Sequence, residues 1–302
     1  MALPEERLRY ALTDEQHERI FQRLVLPTML PPSGSVVFPI AVILGGQPGA
    51  GKTRLLNTAA RELQARGPLA VINGDDLRSF HPACPVLQRD DPLNAAHYTD
   101  HDSGRWVEKL IEAARDRRVN LVIESTMRRP EVFIRTGGQL HAAGYQVEAW
   151  AMAVPERLSW QGVHQRYEAM LAAGSAARFT ARAAHDAGAA GMLDTLGRIE
   201  RDGLASRVMV STRAGVILYD NQVENGTWVE APRAAEIVWC ERARLRTSEE
   251  LRDIESGWSS VIASMQRRQA PAAELARVAD QAADDVRVFQ SSTPAAGQSA
   301  SA

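Results

Sequence analysis

The chain has 302 residues, 45% hydrophobic and 24% charged, the balance of an ordinary water-soluble globular protein with room for one large α/β core or two smaller ones. A formal net charge of -2 gives no electrostatic basis for a nucleic-acid or anionic-membrane partner, and no apolar run nears the ~20 residues needed to cross a bilayer. Two cysteines, Cys84 and Cys240, make neither a disulfide framework nor a zinc spacing, and the first nine residues lack the apolar core of a signal peptide, so a cytoplasmic location is expected.

The first predicted element is a helix over 13–24, with Thr13 as its cap and Ile20, Phe21 and Leu24 as an apolar stripe. The stretch 27–34 holds three prolines and is expected to end it. Val36 to Leu44 is rich in β-branched residues, as in a strand buried on both faces, and Pro39 moves its start to Ile40 or Ala41. Helix and strand then alternate. Helix is expected from Gly51 to about Arg66, over 103–117 and over 130–143; strand is expected over 69–73, 119–125 and 145–154, with Pro155 opening the next helix. This alternation predicts an α/β fold, a P-loop NTPase-like three-layer α/β/α sandwich on a mainly parallel sheet. After Asp202, short strands at 207–211 and 216–219 flank a turn at Ala214-Gly215, and 232–245 and 247–268 are helical in pattern. The expected division is a kinase domain over 1–230, a helical C-terminal extension over 231–289 and a disordered tail over 290–302, whose Ser, Ala, Thr, Pro, Gly and Gln cannot build a core.

The run Gly46-Gln47-Pro48-Gly49-Ala50-Gly51-Lys52-Thr53 meets the phosphate-loop pattern G-x-x-x-x-G-K-[ST] in full, between a buried strand and a helix as that pattern requires. Its glycines let successive backbone N–H groups approach phosphate oxygens at the positive end of a helix. Lys52 is expected to bridge the β- and γ-phosphates of ATP, and Thr53 to ligate Mg²⁺. No guanine-reading Asn-Lys-x-Asp segment is present. The strand before Asp75-Asp76 and the strand ending at Glu124-Ser125-Thr126 both finish at the carboxyl edge beside the loop, where a carboxylate can take a proton from a substrate hydroxyl. Asp75 is read as that base, and Asp76 as a capping or solvated residue.

The combination of this loop with Ile72-Asn73-Gly74-Asp75-Asp76-Leu77-Arg78, His81-Pro82 and Val122-Ile123-Glu124-Ser125-Thr126 resembles the zeta toxins, the kinases of epsilon/zeta toxin–antitoxin systems. The resemblance continues through Gln165-Arg166-Tyr167 to Arg178 and His185-Asp186, covering roughly 13–220. It implies ATP-dependent phosphorylation of the 3′-hydroxyl of the amino sugar in UDP-N-acetylglucosamine, and a small helical antitoxin as partner. By the same resemblance Lys52 holds phosphates, Asp75 is the catalytic base and Glu124 grips the amino sugar. Arg166 and Arg178 stabilise the transferring group, with the small-residue turn 171–175 between them as a candidate lid. Thr126 and Arg128 lie in the matching substrate loop, and Ser103 and Arg105 fall at a matching Ser-x-Arg. Two other readings stand beside this one: a kinase of the same fold acting on another nucleotide sugar or small hydroxyl compound, and a nucleotide-binding interaction protein without transferase activity.

Other signals point to structure rather than chemistry. His97 and His101 are four apart among carboxylates, but nothing before Ser103 reads as helical, so a solvated loop is expected rather than a metal pair. Trp160, Trp239 and Trp258 sit on helical patterns where packing is the default. The arginine-rich segment 241–252 balances its charge with glutamates and reads as a solvated helix face.

Overall fold

The computed structural model describes residues 8–91, 94–174, 177 and 179–291. Strand β1 (Ile40–Gly45) is buried along its whole length. Ile40, Val42 and Leu44 project to one face, against Leu55, Ala59 and Leu63 of helix α2 (Lys52–Gln64). Ala41 and Ile43 project to the other, into a core shared with Trp106, Leu110 and Ala114 of α3 (Ala95–Arg117). Both faces of a central parallel strand must be covered, so the period-2 geometry of β1 commits the chain to helices on each side.

Strands β2 (Leu69–Asn73), β3 (Asn120–Glu124), β4 (Gln146–Met152) and β5 (Arg207–Ser211) join β1 in a parallel array. Strand β6 (Ile217–Glu224) runs antiparallel to β5, and β7 (Thr227–Trp228) antiparallel to β6. The order across the sheet is β2-β3-β1-β4-β5-β6-β7. The chain leaves β1 to build one side, then crosses to β4 to build the other, which opens a crevice at the carboxyl ends of the strands. Helices α4 (Pro130–Ala142) and α6 (Arg182–Arg201) share the α3 face, and α5 (Glu156–Ala172) follows β4. No helix among the described residues is long and apolar enough to cross a membrane.

Several sequence expectations need correction. Helix α1 (Asp14–Ile20) starts at a Thr13–Gln16 capping box, and the helical path runs past the expected 24 and through Pro27 before it ends at Met29, ahead of Pro31 and Pro32. A wider turn over Phe21–Val25, with Leu26 N–H bonded to the Phe21 carbonyl, leads into a last helical piece, Leu26–Met29. Pro27 falls in the first turn of that piece, where its missing N–H costs little. Helix α3 begins at Ala95, eight residues before Ser103, so His97 and His101 are helical. Its early buried face is polar, built from Thr99, Asp102 and Ser103, which hid the helical period. Asp102 earns its burial through Leu12 N–H at 3.1 Å and His81 Nε2 at 3.3 Å. Among the described residues no cluster of three His, Cys, Asp or Glu could hold a metal.

The C-terminal helices are α7 (Ala234–Ala243), α8 (Ser248–Arg267) and α9 (Ala272–Ser291). Sequence pattern did not single out α9, which takes in Gln290 and Ser291 of the tail expected over 290–302; the rest of that tail, from 292, lies outside the described residues. Ala234 and Val238 of α7 belong to the main core, whereas α8 and α9 pack Ile254, Trp258, Val261, Val278 and Phe289 around Trp160 and Val163 of α5. Trp239 was expected to pack but is 63% exposed. The segment 241–252 is not simply a solvated face: Glu241, Arg242 and Arg246 are buried and hydrogen-bonded.

The loop after β3 is clamped from α6. Thr195 Oγ1 donates to the Met127 carbonyl at 2.6 Å, and a Cβ added at Gly191 would meet the Arg128 carbonyl oxygen at 1.9 Å. Gly191→Ala should therefore destabilise the protein by about 1–3 kcal/mol. Gly197→Ala, one helical turn and a half further on and facing open space, should stabilise it by about 0.5–1 kcal/mol. Denaturant unfolding of the two variants checks this, and equal effects would contradict the close-packing account.

Candidate active site

The phosphate loop is shaped by its neighbours as much as by its glycines. Gly49 and Gly51 adopt φ of 77° and 90°, a left-handed conformation that side chains disfavour. Helix α5 approaches so closely that a Cβ at Gly162 would lie 2.2 Å from the Gly49 carbonyl oxygen. Lys52 opens α2 and folds back over the loop, donating to the Gly46 carbonyl at 2.8 Å and the Gln47 carbonyl at 3.4 Å. Its ammonium also sits 3.6 Å from Glu124 Oε1. Burial pushes Lys52 below the usual ammonium value; Glu124 and Asp75 oppose that, and Arg166 reinforces it. Thr53 follows with its side chain exposed at the first turn of α2.

Register brings the carboxylates to this point. Leu44, Glu124 and Asn73 lie abreast at the ends of β1, β3 and β2. Asn73 caps the short helix Gly74–Leu77 by accepting from Asp75 N–H at 3.0 Å, so the capping role considered for Asp76 belongs to Asn73, and Asp76 is exposed. Asp75 faces an open cleft of about 870 Å³ whose lining includes Lys52, Glu124, Thr126, Arg128 and Arg166. Ser103 lines it too, with its hydroxyl donated to the Asp100 carbonyl at 3.2 Å. Such a cleft joins a cation-bearing phosphate cradle to three carboxylates, Asp75, Asp100 and Glu124, and three guanidinium groups, Arg78, Arg128 and Arg166, a set suited to group transfer from a triphosphate to a hydroxyl.

Comparison with known proteins agrees with this geometry. The Zeta toxin family profile matches residues 33–224. The chain belongs to the zeta toxin family. It is 36% identical over 188 residues to a zeta toxin of Streptococcus agalactiae, a match covering 62% of this chain and 65% of that protein. It is 33% identical over 190 residues to the toxin PezT of Streptococcus pneumoniae serotype 4, covering 63% and 74% of the two chains. A solved structure from the PezAT toxin–antitoxin system of Streptococcus pneumoniae superposes with a TM-score of 0.72 at 26% identity, covering 85% of this chain and 99% of that one. The chain thus spans just under two thirds of the length of the zeta toxins it matches.

Of the residues to which the zeta toxin resemblance points, Lys52, Asp75, Ser103, Glu124, Thr126, Arg128 and Arg166 border one cleft. Arg105 does not: it turns to the opposite side of α3, where it pairs with Asp14 at 2.6 Å and lines a separate groove. Two residues further along a helix is about 200° around it, which separates Arg105 from Ser103. Arg178 and Ser175 lie outside the described residues. Arg166 belongs to α5 itself rather than to a lid turn, and Arg166 Nη2 donates to Thr180 Oγ1 at 3.0 Å.

Arg78 carries no expected role from the sequence beyond its place in the Asp75-Asp76-Leu77-Arg78 run. Arg78 pairs with Asp75 at 3.2 Å and Asp100 at 2.8 Å and donates to the Ala96 carbonyl at 2.6 Å, tying the Asp75 carboxylate to α3. Its position three residues after Asp75 was the available signal. His97 and Tyr98 also line the cleft, hidden by the missed start of α3.

Because burial already disfavours the Lys52 ammonium, Lys52→Met should leave the ligand-free melting temperature unchanged or raise it. The stabilisation by Mg·ATP, about 2.7 kcal/mol at one hundred times Kd, should vanish in the same variant. Thermal melts with and without nucleotide measure both; a large drop without ligand would contradict this account.

Proposed function

We propose that this protein is an ATP-dependent kinase that phosphorylates the 3′-hydroxyl of the amino sugar of UDP-N-acetylglucosamine and acts as the toxin of a toxin–antitoxin pair. The observation that carries the reading is the shared cleft of Lys52, Asp75, Glu124 and Arg166 beside the phosphate loop. Family membership and the likeness to a toxin from the PezAT system support it.

In this reading the triphosphate lies on the loop amides, with Lys52 leaving its carbonyl partners for the β- and γ-phosphates. Asp75, held by Arg78, takes the proton of the sugar hydroxyl as its oxygen attacks the γ-phosphorus, and ADP leaves with the bridging oxygen. Arg166 spreads the charge of the transferring group through its planar fork, and Arg178 is assigned the same task by family resemblance. Glu124, Thr126, Arg128 and Ser103 border the space for the acceptor. The exposed Thr53 hydroxyl and the nearby carboxylates offer the oxygen donors that Mg²⁺ takes. With no protein-built metal cluster among the described residues, the ion would arrive with the phosphates and offset their charge. A small helical antitoxin covering the nucleotide side is the partner this role requires.

Asp75→Ala should lower transfer to UDP-N-acetylglucosamine by about 10²–10⁴-fold while ATP binding persists. Mass spectrometry of a panel of UDP-sugars and small alcohols incubated with ATP reads the acceptor directly. ATP turnover that is equal with and without every acceptor would sink the kinase reading, and phosphorylation of a different acceptor would replace the sugar.

A further inference from the structure

Gln47, the second residue of the phosphate loop, has a wholly buried side chain with three hydrogen bonds, to the loop before α5, to α5 itself and to α7. Its Nε2 donates to the Val154 carbonyl at 2.8 Å and to Ser159 Oγ at 3.0 Å. A backbone carbonyl can only accept, so the amide orientation is determined and Oε1 must point the other way. There it accepts from Arg242 Nη2 at 3.1 Å. Arg242 belongs to α7, beyond residue 224, where the family match ends. Its side chain is 6% exposed, and the guanidinium also donates to Glu156 Oε1 at 2.9 Å and to the Ala189 carbonyl at 3.0 Å. Burial pushes the Arg242 guanidinium down, with Glu156 opposing.

The other end of the loop is braced from the same C-terminal layer. In α8, the Ile254 carbonyl accepts from Gln161 Nε2 at 2.6 Å, and Gly257 packs so tightly that an added Cβ would lie 2.7 Å from Gln165 Nε2. Gln165 Oε1 in turn accepts from Arg213 Nη2 at 3.5 Å, and the Arg213 side chain stands 3.4 Å from where a Cβ of Gly51 would be.

We propose that Arg242 is a positioning residue for nucleotide binding: it sets the phosphate loop through the Gln47 side chain, so that the helices after residue 230 are part of the nucleotide site rather than an appendage. The inference rests on the kinase reading only in taking the loop to bind ATP. Gln47 carries the second, longer of the two loop carbonyl contacts to Lys52 and directly follows Gly46, which carries the first, so a shift of Gln47 moves both the anion cradle and its cation. Losing Arg242 leaves Gln47 Oε1 buried with no donor, and the amide must swing to find one.

The test is the Kd of Mg·ATP by calorimetry with no acceptor present, alongside the melting temperature. Arg242→Met should raise Kd about tenfold, as expected for a lost charge-assisted hydrogen bond, and Arg242→Lys should give an intermediate value. Val238→Ala, which opens a cavity under the same helix without touching Gln47, should lower the melting temperature yet change Kd by less than about twofold. Gln47→Ala combined with Arg242→Met should bind no more weakly than the worse single variant, because both remove one contact. Unchanged affinity in Arg242→Met, equal weakening by Val238→Ala, or multiplying effects in the double variant would each overturn the proposal. If Arg242→Met does not fold, Arg242→Lys with wild-type affinity overturns it instead. A wild type that binds no ATP sinks the kinase reading and this inference together, whereas binding without transfer to UDP-sugars sinks only the acceptor assignment.

Discussion

A buried ammonium without a ligand is an expensive group, and the site is arranged around the one at Lys52. Two loop carbonyls and the Glu124 carboxylate hold it. That arrangement needs the loop to curl through left-handed glycines, and it needs a wall close enough to keep the curl. The wall is α5, whose Gly162 lets backbone meet backbone at Gly49. Hydrogen bonds that Lys52 makes to its own loop are replaceable by phosphate oxygens of greater charge, so the same geometry that stores the cation can release it to an anion.

The sheet order turns that local arrangement into a two-sided cleft. With β1 between β3 and β4, Glu124 falls next to the loop and Asp75 one strand further out. Small residues then set distances elsewhere: Gly191 lets α6 press on the loop carrying Arg128, and Thr195 ties down Met127. Asn73 fixes the Asp75 backbone by accepting its N–H, and Arg78 pairs with the carboxylate, which restrains a half-exposed group that would otherwise sample several rotamers. The cleft is thus an outcome of packing on three sides.

Legibility in the sequence followed how local the cause was. Ile40 to Gly45, the Thr13 cap and the loop glycines carry their reasons within a few residues, so pattern alone located them. Asp75 and Glu124 were readable because parallel strands deliver their carboxyl ends to one edge. The first turns of α3 were not, since they bury Thr99 and Asp102 against distant His81 and Leu12 rather than an apolar stripe. Arg105 was misplaced because a motif match says nothing of which way around a helix each member points. Arg242 and Arg246 looked solvated because their neighbours in sequence are acidic, yet they are buried by contacts with remote elements.

By itself, then, the sequence determined a parallel α/β sheet, a triphosphate-type loop after its first strand, and that Asp75 and Glu124 come to lie beside it. These follow from period, from glycine's freedom and from short hydrogen-bonding patterns, all of which act over a few residues. Only the tertiary structure decided which arginines face the cleft, which are interior struts, and that Arg242 of α7 reaches the loop through Gln47. Those choices depend on desolvating a charge against groups brought from far along the chain, such as Arg242 against Gln47, 195 residues away. No local pattern encodes such a partner, because it exists only after folding.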